Sequence, residues 1–95
     1  MKIETYETAF DLIADTPEEA AHMRARADLM IQVQEIIERN GWTQQEAARR
    51  CGVSQPRVNA LMRGHFHRFS LDALVKMAAA LGQRITIELT DRQVA

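Results

Sequence analysis

The stretch from Thr43 to Gly64 constrains the fold of this 95-residue chain more than any other part of it. Thr43 and Glu46 have the T-x-x-E spacing of a capping box, in which each side chain satisfies an N–H group at a helix start. This spacing predicts a first helix over residues 44–50. Gly52 follows at once and permits the left-handed backbone conformation that ends helices.

A second helix is predicted directly after this turn. Ser54 is a favourable N-cap for a helix over residues 55–63, and Pro56 is tolerated because it lies in the first turn. Gly64 then closes the helix. Two capped helices joined by a turn of three to four residues, all within 22 residues, are typical of a helix-turn-helix motif.

The outer face of the second helix is suited to a DNA groove. Val58 and Leu61 share one side and are expected to face the core. We expect the other side to carry small, amide and arginine side chains: Gln55, Pro56, Asn59, Ala60 and Arg63. Amide side chains can pair bidentately with adenine, and arginine can bind guanine or phosphate.

The net charge of −1 conceals an asymmetry along the chain. Residues 1–40 carry nine acidic and four basic groups, whereas residues 41–95 carry four acidic and eight basic groups. Within residues 42–68 there are five arginines and one acid, Glu46. A locally basic segment in a nearly neutral chain is compatible with a phosphate-binding face.

Composition and length argue against several other classes. The single cysteine, Cys51, excludes an internal disulfide framework and fits a reducing compartment. No apolar run approaches a membrane helix and the amino terminus does not resemble a signal peptide, so a cytoplasmic location is expected. His65 and His67 lack a third ligand, so no metal is expected. No nucleophile–base pair or cofactor loop is visible, so we expect neither an enzyme nor a cofactor.

The rest of the sequence predicts a single all-α domain over residues 1–95. Residues 1–15 form an arm or a short helix around residues 7–13, and residues 16–84 form the helical core. A long helix is predicted from the Thr16 cap to Arg39, with a weak point near Asp28. The last helix starts at a Ser70 cap and ends at Gly82, with Leu74 on its core stripe.

Residues 85–90 alternate polar and apolar side chains, which predicts a half-buried strand. Its apolar positions are Ile85, Ile87 and Leu89. A single strand needs a partner for its backbone groups. We favour the same strand of a second copy, in an antiparallel ribbon about a two-fold axis. Pairing with residues 2–6 of the same chain is the alternative.

The central stretch, T-Q-x-E-A-A-x-x-x-G-V-S-Q-x-x-V-x-x-L-x-x-G, resembles the XRE family of phage-repressor-like helix-turn-helix proteins. The resemblance implies a lambda-repressor-like fold of four to five helices and a sequence-specific, double-stranded DNA-binding regulator, a dimeric repressor of its own operon. It implies base contacts by Gln55, Arg57 and Asn59. Pro56 and Ala60, which stand where polar readers are common in the family, would offer shape and methyl contact. The implied phosphate contacts are Thr43, Gln44, Ser54, Arg63, His65, His67 and Arg68.

A narrower resemblance leaves a second function open. The central stretch followed by F-S-L-D-x-L-V-x-M-x-x-A-L-G is similar to the antitoxins of HigB/HigA-type toxin–antitoxin modules. Such antitoxins neutralise a small basic, RelE-like ribonuclease. By this resemblance, the acidic residues 1–40 would contact a basic toxin protein. An isolated regulator would have the same sequence features.

Overall fold

The first helix whose full extent lies within the described residues, α1, is long and uninterrupted. A computed structural model describes residue Phe10 and residues 13–91 of the chain. In it, α1 spans Pro17–Asn40, or 24 residues, which corresponds to roughly 36 Å. The helix continues through Asp28, so the break that the sequence allowed there does not form.

The remaining helices of the described part of the chain are short and follow α1 closely. They are α2 (Gln44–Cys51), α3 (Gln55–Met62), a 3-10 turn (Phe66–Arg68) and α4 (Leu71–Ala80). The all-α architecture predicted from the sequence is therefore confirmed for these residues. None of these helices is long and apolar enough to cross a membrane.

Each predicted N-cap forms as a hydrogen bond to the backbone N–H three residues later. The hydroxyl oxygen of Thr16 accepts from the Glu19 N–H at 3.0 Å, and that of Thr43 accepts from the Glu46 N–H at 3.1 Å. Ser54 and Ser70 do the same at 3.3 and 3.0 Å. Because an N-cap satisfies a donor that the helix cannot, each bond contributes about 1 kcal/mol to helix stability.

The main core lies where α3 and α4 pack against α1 and α2. Its least exposed large side chains are Val33, Val58, Leu61, Phe69, Leu74 and Met77. A partly buried hydrogen bond joins α1 to α3: the Nε2 of Gln34 donates to the Leu61 carbonyl at 2.7 Å. This bond fixes the carboxyl end of α3 against α1.

The turn between α2 and α3 needs a glycine. Gly52 has a φ of 72°, in the region that glycine adopts without steric cost. The N–H of Val53 then bonds the carbonyl of Ala48 at 3.1 Å, which satisfies a carbonyl at the end of α2. The chain is thereby redirected into the Ser54 cap of α3.

A smaller core cluster lies between the amino-terminal region and the 3-10 turn. Phe10 is 5 % exposed and packs with Met23 and Ala27 of α1 and with Phe66. Phe10 and Ile13 both have helical backbone, but Ile13 is 59 % exposed. Phe10 therefore packs on the main body, whereas Ile13 faces solvent.

Two further predictions concern residues that the structure does not describe. Most of the predicted helix over residues 7–13 lies outside the described residues. Residues 2–6, the alternative partner for the terminal strand, also lie outside them.

The predicted strand at residues 85–90 does not form within the single chain. Residues 83–91 have no regular secondary structure, because a strand requires a hydrogen-bonded neighbour and the described part of the chain supplies none. Ile85 is partly buried against the main core. Ile87 and Leu89 are 82 % and 92 % exposed.

Candidate nucleic-acid interface

The outer face of α3 is polar and exposed. Gln55, Pro56, Asn59 and Arg63 are all exposed, whereas Val58 and Leu61 are fully buried. These six residues lie as the sequence predicted. A protruding helix of this kind, with amide and arginine groups on its outer side, has the shape and the donors needed for a major groove.

The expectation that Ala60 lies on this outer face is wrong. Its side chain is 6 % exposed and belongs to the main core cluster. The buried arc of α3 is wide because α3 packs against both α1 and α2, so it extends from Val58 through Leu61 to Ala60. Of the five residues predicted to contact bases, Ala60 is therefore not accessible on this surface.

Gln44 and Asn59 lie together at the junction of α2 and α3. The Nδ2 of Asn59 donates a hydrogen bond to the Oε1 of Gln44 at 3.3 Å. An amide has one acceptor oxygen and two N–H donors. Gln44 thus keeps its N–H groups for another partner, and Asn59 keeps one N–H and its carbonyl oxygen.

Arg57, unlike the other polar residues of α3, does not lie on the exposed outer face. It is partly buried, its guanidinium stands 4.1 Å from the centre of the Phe69 ring, and its Nη1 donates to the Arg68 carbonyl at 2.7 Å. The resemblance implied a base contact for this residue. The structure joins it instead to the end of the 3-10 turn, at Arg68 and Phe69.

The segment from Gly64 to Arg68 presents two of its three predicted phosphate contacts. His67 and Arg68 are exposed, and the His67 ring lies 4.1 Å from the Phe66 ring. His65 is half-buried, and its Nδ1 is buried without a hydrogen-bond partner among the described residues. The accessible side of this segment is therefore formed by His67 and Arg68.

Thr43 and Ser54, the two other predicted phosphate contacts, are exposed caps. Each hydroxyl oxygen accepts from a backbone N–H of its helix. Because a hydroxyl group also carries one hydrogen, both can donate to an anion while the caps stay intact. Their positions at the starts of α2 and α3 also favour negative charge.

The charges around α2 are partly neutralised within the helix. The carboxylate of Glu46 accepts hydrogen bonds from Arg49, and from the Nε of Arg50 at 2.7 Å. The Arg49 hydrogen bond is the main cause that lowers the pKa of Glu46, and the same bond raises the pKa of Arg49. The reciprocal half of the predicted capping box, from Glu46 to the Thr43 N–H, does not form in the described structure.

Positive charge without a carboxylate partner lies at the end of α3 and beyond it. Arg63 and Arg68 are exposed, and neither has an ion pair within the described part of the chain. The guanidinium of Arg50, besides its bond to Glu46, stands 4.5 Å from the Trp42 ring. The charge of Arg63 and Arg68 is therefore available to a phosphate group.

Cys51 is a packed residue of the helix-turn-helix core. Its side chain is 5 % exposed, and burial raises the pKa of its thiol. A raised pKa keeps the sulfur in the unreactive thiol form at neutral pH. The described residues contain no group of three histidine, cysteine or acidic side chains placed to hold a metal ion.

The contacts that were not predicted from the sequence include Gln34 with Leu61, Arg57 with Phe69, and Phe10 with Phe66. Only the second had a local signal, since Phe69 directly precedes the Ser70 cap, where apolar residues commonly pack inward. The other two join residues far apart in sequence.

Comparison with known families agrees with this geometry. The model of a family described as a helix-turn-helix domain matches residues 12–90, a range that includes helices α1 to α4. Comparison with curated proteins gives no significant match. Since the family match covers most of the chain, the protein belongs to the helix-turn-helix domain family.

Proposed function

We propose that this protein is a sequence-specific, double-stranded DNA-binding regulator of transcription that inserts α3 into the major groove. The observation that carries the proposal is the exposed polar face of α3. On this face, Asn59 is held by a hydrogen bond to Gln44, the first residue of α2. The membership of a helix-turn-helix family supports it. Gln55 and Asn59 are the base-reading residues.

The hydrogen-bonding capacity of Asn59 fits adenine. A bidentate contact to adenine needs one donor for N7 and one acceptor for the N6 amino group. Asn59 retains one N–H and its oxygen after bonding Gln44. Pro56, exposed beside it, offers an apolar surface to a thymine methyl group.

The phosphate contacts surround this reading face. Gln44 donates the N–H groups that its bond to Asn59 leaves available. Arg63, His67 and Arg68 supply the positive or donor groups at the other end of α3. Phosphate contacts fix the register of a reading helix, whereas base contacts select the sequence.

The active species is a homodimer whose residues 85–90 pair as an antiparallel ribbon. Ile87 and Leu89 are almost fully exposed in the single chain, and pairing would cover them and satisfy the backbone groups beside them. Two reading helices about 34 Å apart then contact both halves of a palindrome. A dimer bound to its own operator acts as a repressor by occupying it.

Binding to DNA from upstream of the protein's own gene tests the function directly. Affinity is measured at several salt concentrations, with a DNA fragment of shuffled sequence as the control. We expect tight binding to the upstream fragment and a steep, linear fall of log affinity with log salt. Equal affinity for both fragments, or no binding, would refute sequence-specific recognition.

A second function, neutralisation of a small basic toxin, is supported by the charge of α1. Five acidic residues are exposed along this helix: Glu18, Glu19, Asp28, Glu35 and Glu38. They lie on an element other than the reading helix, so one protein can bind DNA and a basic partner. Failure of the product of a neighbouring gene to co-purify, or of this protein to rescue growth from it, would exclude the antitoxin function.

A further inference from the structure

Arg57 lies on the side of α3 that faces away from the reading face. Successive helical residues are rotated by about 100°, so Arg57, which is two residues from both Gln55 and Asn59, is separated from each of them by about 160° around the helix. It borders a pocket with Cys51 of α2 and Met77 of α4. A base contact by Arg57 would therefore require the side chain to leave this position.

The guanidinium of Arg57 is held by two contacts of different kinds. It lies 4.1 Å from the centre of the Phe69 ring, within the range of a cation–π interaction. Its Nη1 also donates to the Arg68 carbonyl at 2.7 Å, a charge-assisted hydrogen bond. Phe69 is 1 % exposed, so its ring is a fixed platform for the guanidinium.

The segment that Arg57 contacts has little structure of its own. The 3-10 turn Phe66–Arg68 is closed by two backbone bonds, from the Arg68 N–H to the His65 carbonyl at 3.0 Å and from the Phe69 N–H to the Phe66 carbonyl at 3.1 Å. A single 3-10 turn has weak hydrogen-bond geometry. Arg57 ties the end of this turn to the first turn of α3.

We propose that Arg57 is a positioning residue, which holds the phosphate-contacting residues His67 and Arg68 at a fixed place relative to the reading helix. This inference rests on the proposed function. Arg57 acts through the backbone of Arg68 and the ring of Phe69 and makes no direct contact to a base. A dislodged segment weakens binding to every DNA sequence, since phosphate contacts carry no sequence information.

The test compares Arg57→Ala and Arg57→Lys with the wild-type chain. The lysine variant keeps the charge but lacks the planar fork and the stacking surface of arginine. We expect both variants to lose affinity about tenfold for specific and shuffled DNA alike. We also expect the selected DNA sequence to stay the same, and amide hydrogen exchange at Arg68 and Phe69 to rise about fivefold or more in the free protein. Asn59→Ala is the control that changes sequence preference.

Each other outcome contradicts the proposal in a recognisable way. Wild-type affinity in Arg57→Lys would make Arg57 a simple charge contact to phosphate. A changed base preference in Arg57→Ala would make it a base reader. Unchanged exchange at Arg68 and Phe69 would show that it does not hold the segment. If the wild-type protein binds no DNA, the proposed function fails, while the exchange data still decide whether Arg57 holds the turn.

Discussion

The side-chain amide of Asn59 donates a hydrogen bond to the side-chain carbonyl of Gln44 across the junction of α2 and α3, at 3.3 Å. Gln44 is the first residue of α2, and Asn59 lies on the outer face of α3. The bond orients both amides at once. It therefore couples Gln44, the proposed phosphate contact, to Asn59, the proposed base contact.

Substitutions of Gln44 separate these two roles. Gln44→Ala removes both, so we expect affinity to fall about tenfold and the preference at the base pair read by Asn59 to relax. Gln44→Glu keeps an acceptor for Asn59 but places a negative charge near phosphate, so affinity should fall further while the preference is kept. Binding to sequences that differ at one base pair measures both effects. Identical preferences in the two variants would contradict the coupling.

Arg63 is expected to act on phosphate alone. Replacing it with alanine should weaken binding to all sequences alike and reduce the slope of log affinity against log salt by about 0.9, the value for one phosphate contact. Lys76→Ala is the matched control, since Lys76 is exposed on α4 and carries the same charge. A slope that changes equally in both variants would mean that Arg63 contributes only net charge.

The proposed pairing of residues 85–90 between two copies predicts that the protein is a dimer. Ile87→Asp combined with Leu89→Asp should give a monomer in sedimentation equilibrium, because a ribbon interface cannot bury unpaired charge. The fold should persist, since both side chains are exposed in the single chain. Affinity for a palindrome should fall more than a hundredfold once the two reading heads are separated. Thr90→Asp is the control, and a dimeric double variant would refute the ribbon.

Phe10 is expected to stabilise the domain through the 3-10 turn. Its ring meets the Phe66 ring edge-on, with centroids 5.4 Å apart, and the Arg26 guanidinium stands 5.3 Å from the same Phe66 ring. Phe10→Ala should lower the free energy of unfolding by about 3 kcal/mol. Ile13→Ala, at an exposed neighbour, should change it by about 0.5 kcal/mol or less. Urea denaturation measures both, and equal effects would contradict the docking of Phe10.

The hydrogen bonds of Glu46 with Arg49 and Arg50 predict that the stability of the fold falls at acid pH. The hydrogen bond from Arg49, the largest cause, holds the pKa of Glu46 below the ordinary value of 4.5 in the folded protein. A carboxyl group with a lowered folded-state pKa stabilises the fold above its unfolded pKa, and that contribution is lost as pH falls through the folded value. In Arg49→Gln, nuclear magnetic resonance titration should give a higher Glu46 pKa than in the wild type. An unchanged pKa would mean that the Arg49 hydrogen bond is not its cause.

The helix-turn-helix and its caps were predictable because their signals are local. Thr43, Ser54 and Ser70 cap their helices as predicted, and Gly52 adopts the left-handed conformation that the turn requires. Each of these features depends on a few neighbouring residues. The continuity of α1 through Asp28 was harder to predict, because packing of its first half depends on Phe10 and Phe66.

Features that depend on the arrangement of the helices were not predictable in this way. Ala60 appeared outward-facing because a helical wheel assumes a narrow buried side, whereas α3 is covered by both α1 and α2. The family resemblance implied a DNA contact for Arg57. Its contacts with Arg68 and Phe69 arise from the path of the chain eleven and twelve residues later. The alternation at residues 85–90 predicted a strand, but residues 83–91 have no regular secondary structure, because the described part of the chain supplies no hydrogen-bonded neighbour.

Selection of bound sequences from a random DNA pool tests the central claim most directly. The wild-type chain should select a palindrome whose half-sites are centred about 34 Å, or one helical turn, apart. Gln55→Ala and Asn59→Ala should each change the preferred base at a defined position of the half-site. A wild-type pool without an enriched palindrome, or two variants that select the same sequence as the wild type, would contradict recognition through this face of α3.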